Sequence, residues 1–107
     1  MVFTVRTLPR AEFDAQQIYD WIQERSPDGA RRWWLAFEEA CDRLKREAVD
    51  HALAPEADWI GREIRQILFK TAQGRYYRVL YVVVENEVRV VRVRGPGQPD
   101  LIADEIA

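Results

Sequence analysis

Arginine recurs along a valine-rich stretch of this sequence, "GRYYRVLYVVVENEVRVVRVRG" at residues 74–95. Guanidinium groups bind phosphate or carboxylate oxygens in pairs, and they stabilise negative charge that develops on a transferring phosphoryl group. An arginine near an aromatic ring, such as Tyr81, can hold a phosphate and stack on a base. The stretch therefore has the residue types to bind single-stranded nucleic acid or an acidic peptide. Its five arginines are Arg75, Arg78, Arg89, Arg92 and Arg94.

The formal net charge of −2 conceals an uneven distribution along the chain. Residues 62–94 carry eight basic and three acidic side chains, a local charge of +5, and the remainder carries eight basic and fifteen acidic ones, a local charge of −7. Such an asymmetry indicates a basic working surface on an acidic body. Solvated strand faces, with charges that discourage edge-to-edge aggregation, would give the same pattern. The basic residues are Arg62, Arg65, Lys70 and the five arginines named above.

The numbers of cysteine and histidine residues limit the disulfide and metal sites that the chain can form. Cys41 is the only cysteine and His51 the only histidine, so an internal disulfide cannot form and the ligands of a structural zinc are lacking. We therefore expect a reducing, cytoplasmic location, no metal and no other cofactor. Tyr81 could transfer protons only if its surroundings tuned its pKa, because an unperturbed phenol titrates near ~10.

Length and hydropathy predict a single domain over residues 1–107. A chain of 107 residues with 48% hydrophobic content can bury a core of its own. Its longest apolar run, residues 79–84, is far too short to cross a bilayer, and no charged-then-apolar leader follows Met1. We therefore predict no membrane association.

The pattern of apolar residues along the chain predicts the helices and strands that position the arginines. A β-branched segment precedes Pro9, and two helical stretches are separated by "SPDG", in which Ser26 suits an N-cap and Pro27 a first helical position. A loop and three strands follow. The predicted class is α+β, in the order β-α-α-β-β-β, with a helical hairpin packed on one face of a mainly antiparallel four-stranded sheet. The predicted ranges are strand 2–8, helices 11–25 and 27–48, loop 52–61, and strands 63–71, 75–85 and 87–94.

The register of the last hairpin decides where the arginines point. A two-residue loop at Asn86–Glu87 pairs Tyr81 with Arg92 and leaves both, with Arg94, on a face open to solvent. A shift of one residue would exchange the two faces. The opposite, helix-facing block would then contain Leu80, Val82, Val84, Val91 and Val93.

Several segments resemble the RelE/ParE superfamily of toxins from bacterial type II toxin–antitoxin modules. The likeness covers about residues 2–101 and includes "ARRWWLAFEEACDRL", "IRQI", "GRYYRVLYVV" and "VRVVRVRG". The middle strand of that family reads as a short glycine turn, an aromatic residue and then Arg-Val-Leu-Tyr, which Gly74, Tyr77 and residues 78–81 match.

The resemblance implies a protein that arrests growth when free and is neutralised by a cognate antitoxin. One branch of the family cleaves mRNA on the ribosome, and another inhibits DNA gyrase. The antitoxin is expected to cover the open sheet face or the helical hairpin, by laying down a helix or an added strand. The resemblance and the location of the residues nominate Arg65, Arg78, Tyr81 and Arg94 as catalytic candidates, and Lys70, Arg75 and Arg92 as residues that bind the target.

The sequence departs from the family pattern at the end of the last strand. Many relatives have a histidine there, whereas this chain has Gly95. The departure removes the obvious general acid or base for RNA cleavage. A non-catalytic or degenerate relative that acts only as a protein-binding module is therefore the alternative.

Overall fold

The computed structural model describes residues 2–106, and its first feature is a helical hairpin formed by α1 (Pro9–Gln23) and α2 (Pro27–Glu47). Ser26 caps α2 as predicted, since its hydroxyl accepts a hydrogen bond from the Gly29 amide at 3.0 Å. A Cβ at position 29 would lie 2.8 Å from the Ser26 Oγ, so a larger residue there would displace the hydroxyl that caps α2.

The hairpin packs on a four-stranded sheet in the order β1-β4-β3-β2. Strand β1 runs parallel to β4, and the other two pairings are antiparallel. The predicted class and element order are confirmed, with one parallel pair in the sheet. The strands are β1 (Thr4–Thr7), β2 (Arg65–Phe69), β3 (Tyr77–Val84) and β4 (Glu87–Arg94).

An aromatic cluster joins α2 to the sheet. Trp33 lies 5.5 Å from Phe37, 5.6 Å from Phe69 and 5.4 Å from Tyr77, measured between ring centroids. Aromatic pairs at such distances stabilise a core beyond the area they bury. The hairpin is thus anchored on β2 and β3.

The predicted loop of the last hairpin lies one residue too late in the chain, so the predicted strand partners are wrong by two residues. Val84 pairs with Glu87, so the loop is Glu85–Asn86, and Glu85 rather than Asn86 adopts a positive φ of 56°. A bulge then inserts Val91 opposite β3. Asparagine was the expected residue for the positive φ, and the chain instead bends one position earlier.

The hairpin packs on the side of β3 opposite to the predicted one, and the two-residue shift of partners leaves the sides of the strands unchanged up to the bulge. Tyr81 faces the hairpin and is buried in the same core as Val79, whereas Leu80, Val82 and Val91 lie on the opposite side, here called the second face. Val93 faces the hairpin as predicted. Without the bulge, Val93 would face away from the hairpin. The extra residue in β4 shifts the rest of the strand by one position, and Val93 therefore faces the hairpin.

The second face is covered, which contradicts the prediction of an open face. A short helix, α3 (Glu56–Ile60), lies in the predicted loop and ends at Gly61, whose φ is +77°. Residues 95–106, here called the C-terminal strap, bring Leu101 and Ile106 into an apolar cluster with Leu80 and Val82. Alternating valines on both sides of β3 thus serve two cores instead of one.

Candidate functional site

Arg78 is bound by a buried carboxylate from α3. Its guanidinium donates two hydrogen bonds to Glu56, at 2.9 and 2.8 Å, and a third to Gln66 Oε1 at 2.9 Å. Glu56 is fully buried and also accepts a hydrogen bond from the Leu101 amide. Burial alone would raise the pKa of Glu56, but the hydrogen bonds from Arg78 and from backbone amides outweigh it and lower that pKa below its usual value. Arg78 therefore joins β3, α3 and the C-terminal strap.

Arg92 is bound in a similar way by the first helix. Asp14 accepts two hydrogen bonds from its guanidinium at 2.7 and 2.8 Å, and the Glu105 carbonyl accepts a third at 2.8 Å. Asp14 also accepts the Val93 amide at 3.0 Å. Because β1 ends at Thr7, this part of β4 has no strand beside it, and Asp14 takes the place of that strand.

Arg94 is only 7% exposed and lies beside Arg78 on the second face. It donates to the Pro99 carbonyl, while its Nε is buried with no hydrogen-bond partner. The placement of Arg92 and Arg94 on an accessible face is therefore wrong. Both lie on the side away from the hairpin, but carbonyls of the strap bind them and Asp14 binds Arg92.

Tyr81 and Arg65 lie at the other side of the sheet, where α2 ends. The Tyr81 hydroxyl donates to the Ala48 carbonyl at 2.6 Å, and Arg65 donates to the His51 carbonyl at 2.6 Å. The first bond satisfies the carbonyl of the C-cap of α2, and the second holds the segment that follows the helix. Burial raises the pKa of Tyr81 to about 12, with Arg65 opposing and Asp50 adding to the shift.

Lys70 and Arg75 are exposed around the connection between β2 and β3. The Lys70 ammonium lies 5.2 Å from the centre of the Tyr76 ring. The seven predicted residues consequently divide among three places: Arg78, Arg92 and Arg94 beneath the strap, Tyr81 and Arg65 at the end of α2, and Lys70 and Arg75 at the periphery. Their functional roles stay a prediction.

Sequence reasoning missed a groove between α1 and α2. It is a cavity of about 490 Å³ that opens over β1, and a neighbouring cavity of about 230 Å³ shares Gln16 and Trp34 with it. We call the larger cavity the hairpin groove. Periodicity placed Trp34 and Cys41 on the core stripe of α2, but the structure leaves both half-buried at its margin. The hairpin groove is lined by Val5, Thr7, Glu12, Ala15, Gln16, Trp34, Phe37, Glu38, Cys41, Asp42 and Lys45.

The rim of the hairpin groove is acidic. Asp42 is paired with Lys45 at 2.8 Å, and within residues 2–106 neither Glu12 nor Glu38 has an ion-pair partner. Burial and the nearby Glu38 raise the pKa of the Cys41 thiol to about 12. The groove therefore offers an apolar floor and carboxylates, and its thiol is not an activated nucleophile.

Comparison with known proteins adds two findings. A family model described as "ParE toxin of type II toxin-antitoxin system, parDE" matches residues 5–98 of the chain. Among solved structures, the chain is similar to one titled "Chromosomal ParDE TA system from P. aeruginosa", with a TM-score of 0.67 and 16% identity over 87% of this chain and 95% of that chain. At that identity the likeness establishes the fold. No curated protein sequence matches the chain.

Among residues 2–106, no helix combines the length and the apolar character that a bilayer crossing requires.

Proposed function

The chain belongs to the ParE family of toxins from type II toxin–antitoxin systems, and on that premise we propose that it arrests bacterial growth when free and is silenced by a cognate antitoxin. Of the two targets that the family resemblance implies, we propose DNA gyrase. Ribosome-dependent cleavage of mRNA is the activity that the internal contacts of the chain argue against.

RNA cleavage would first require proton transfer by side chains of the protein. Cleavage of RNA by a metal-free site needs groups that accept and donate a proton near neutral pH. Tyr81 is buried, its hydroxyl is committed to the Ala48 carbonyl, and its pKa is raised to about 12. His51, the only histidine, lies 3.1 Å from Glu47 at the end of α2, away from the second face.

The arginines of the last two strands are already bound within the chain, and this observation carries the proposal. Arg78 and Arg92 each bind a carboxylate of their own chain through two hydrogen bonds, and Arg94 is enclosed by the strap. To bind a scissile phosphate, Arg78 and Arg92 would have to break their ion pairs and leave a carboxylate unpaired in a partly buried environment. Arg94 would have to be released from the strap. Inhibition of gyrase through protein–protein contact requires no such exchange.

We place the antitoxin in the hairpin groove. An amphipathic helix can lay its apolar face into a groove between two helices. The apolar floor formed by Val5, Ala15 and Phe37 suits such a face. Glu12 and Glu38, which have no ion-pair partner within residues 2–106, favour basic residues along its flank.

The experiment is expression of the protein alone in a bacterial host, with incorporation of labelled thymidine and labelled amino acids followed after induction. We expect growth to stop and DNA synthesis to fall before protein synthesis. Coexpression of the small protein encoded next to the toxin should restore growth. An earlier fall in protein synthesis would favour mRNA cleavage, and normal growth with abundant folded protein would favour a protein-binding module.

Charge reversal tests the placement of the antitoxin. We expect Glu38→Lys to weaken antitoxin binding about tenfold, since the change converts attraction to basic residues into repulsion. Growth arrest by the free variant should be unchanged. The matched control is Glu24→Lys, an equal charge change at an exposed position outside the groove. Equal antitoxin affinities for the two variants, measured by calorimetric titration, would remove the groove from the proposal.

A further inference from the structure

The outer side of α1 carries aromatic residues that the fold leaves exposed. Ala11 and Ala15 on the inner side are fully buried, whereas Phe13 is 63% exposed and Trp21 is 58% exposed. The side of a surface helix that faces solvent is normally polar. Two large aromatic side chains on that side of one helix therefore indicate a surface that another molecule covers.

These aromatic residues belong to a row along the helix. Phe13, Gln17 and Trp21 are spaced by four residues, so their side chains are neighbours on one ridge. Arg10 and Glu24 lie seven residues before and after Gln17, which is about two turns, so they end the row on the same side. All five residues are exposed. We call them the α1 seam.

The α1 seam and the hairpin groove lie on different sides of α1. The groove is lined by Glu12, Ala15 and Gln16 of this helix. Because successive residues turn by about 100° around a helix axis, these three face in nearly the opposite direction from the seam. An antitoxin in the groove and a partner on the seam can therefore be bound at the same time.

The α1 seam is complementary to itself. Phe13 and Trp21 lie four residues on either side of Gln17, and Arg10 and Glu24 lie seven residues on either side of it. If two copies of α1 cross in opposite directions at Gln17, each Phe13 meets a Trp21 and each Arg10 meets a Glu24. Such reciprocal contacts are what a two-fold interface requires. A parallel crossing would oppose like charges instead.

Two side chains of the α1 seam are already ordered in the single chain. The Arg25 guanidinium lies 3.7 Å from the centre of the Trp21 ring and donates a hydrogen bond to the Trp21 carbonyl at 2.7 Å. Arg10 donates to the Asp104 carbonyl at 2.9 Å. Side chains that are held before association lose less conformational entropy when a partner binds.

We propose that the protein forms a two-fold symmetric homodimer through the α1 seam, with Phe13 of each copy packed on Trp21 of the other. This inference goes beyond the proposed function and holds whichever target the toxin has. A helix of 15 residues is about 22 Å long, so the interface is at the small end of specific ones. We therefore expect a reversible dimer with a dissociation constant of about 10 μM.

Sedimentation velocity of the full-length protein, at concentrations about tenfold below and above that constant, measures the equilibrium between monomer and dimer. We expect Phe13→Gln and Trp21→Gln each to weaken dimerisation about tenfold, since each change removes one member of both aromatic contacts. Leu35→Gln, at an exposed position of α2, is the matched control and should leave the dissociation constant within about twofold of the wild-type value. A wild-type protein that stays monomeric throughout would overturn the proposal.

Exchange of charges tests the orientation of the two helices. Arg10→Glu and Glu24→Arg should each weaken the dimer about fivefold, because each change places like charges opposite one another. The double variant should return to within about twofold of the wild type, since opposite charges face each other again. A double variant that dimerises no better than the single ones would contradict the antiparallel crossing.

A cysteine at the crossing point gives a readout that does not depend on affinity. In a Cys41→Ser background, Gln17→Cys should form an intermolecular disulfide under mild oxidation, because the two-fold axis brings that position against its own copy. Gln23→Cys, exposed on the same helix about a third of a turn from the seam, is the control and should stay reduced. Equal cross-linking at both positions would overturn the proposal. So would a monomeric wild type in which Phe13→Gln weakens antitoxin binding, since the seam would then belong to the antitoxin.

Discussion

Glu56 carries a carboxylate that is held on every side by the fold. It is fully buried, it binds Arg78 through both oxygens, and its Oε2 also accepts the Leu101 amide. A buried ion pair adds little stability over an apolar pair, but removing one partner leaves the other charge without compensation. The pair therefore fixes how α3 and the strap sit on the second face.

We predict that Glu56→Gln lowers the free energy of unfolding by about 3 kcal/mol at pH 7. The folded-state pKa of Glu56 is depressed, so its contribution is present above the unfolded pKa of ~4.3 and is lost as pH falls through the folded value. The difference between variant and wild type should therefore shrink below about pH 4. Urea unfolding of the variant and the wild type, at pH 7 and below about pH 4, measures this difference in the free energy of unfolding.

Asp100→Asn provides the control for this prediction. Its carboxylate lies 3.5 Å from Arg78 but is half-exposed, so its loss should cost no more than about 1 kcal/mol. Equal costs for the two variants at pH 7 would contradict the assignment of Glu56 as the partner that matters.

A second prediction concerns Tyr81→Phe. The phenol donates to the Ala48 carbonyl at the end of α2, and its loss should lower the free energy of unfolding by about 1–2 kcal/mol. Growth arrest by the folded variant should persist, because we assign the hydroxyl a structural role. A stable, well-expressed variant without toxicity would instead support the catalytic candidacy of Tyr81.

The sequence located Arg78 through its motif but not its partner. Glu56 follows Pro55 in a segment with no apolar period, so the segment was predicted to be a loop, and nothing local indicates that a carboxylate there is buried. In the second pair, Asp14 and Arg92 are 78 residues apart in the sequence. Pairings over such separations depend on how the elements pack, which side-chain pattern alone does not encode.

At the level of elements, the two helices of the helical hairpin were predicted well, whereas the short helix α3 and the last β-hairpin were not. Capping and periodicity are local, and Ser26 and Pro27 mark the start of α2 as expected. The register of β3 and β4 depended on which loop residue takes a positive φ, and valines on both sides of each strand gave no contrast between faces. Both strands are buried on two sides, so alternation could not identify the core side.

The hairpin loop itself yields a prediction. Glu85 adopts a φ of 56°, a conformation that costs an ordinary residue about 1–2 kcal/mol. Asparagine tolerates it better, so Glu85→Asn should raise the free energy of unfolding by about 0.5–1 kcal/mol. Thermal unfolding measures the change, and Asn86→Asp serves as control. A destabilised Glu85→Asn variant would contradict the assigned turn.

For the whole molecule, the division of charge along the chain is reduced by the fold. The basic stretch of residues 62–94 packs against acids from elsewhere, through Arg78 with Glu56 and Arg92 with Asp14. The hairpin groove remains accessible beside α2, and most arginines of the strands are bound by groups of the chain itself.

The central claim is that the free protein acts on gyrase without cutting RNA, and purified components test it most directly. The protein is added to DNA gyrase with relaxed plasmid and, separately, to translating ribosomes with a defined mRNA. We predict that supercoiling is inhibited at near-stoichiometric protein while the mRNA stays intact. Unaffected supercoiling together with cleaved mRNA would contradict the claim.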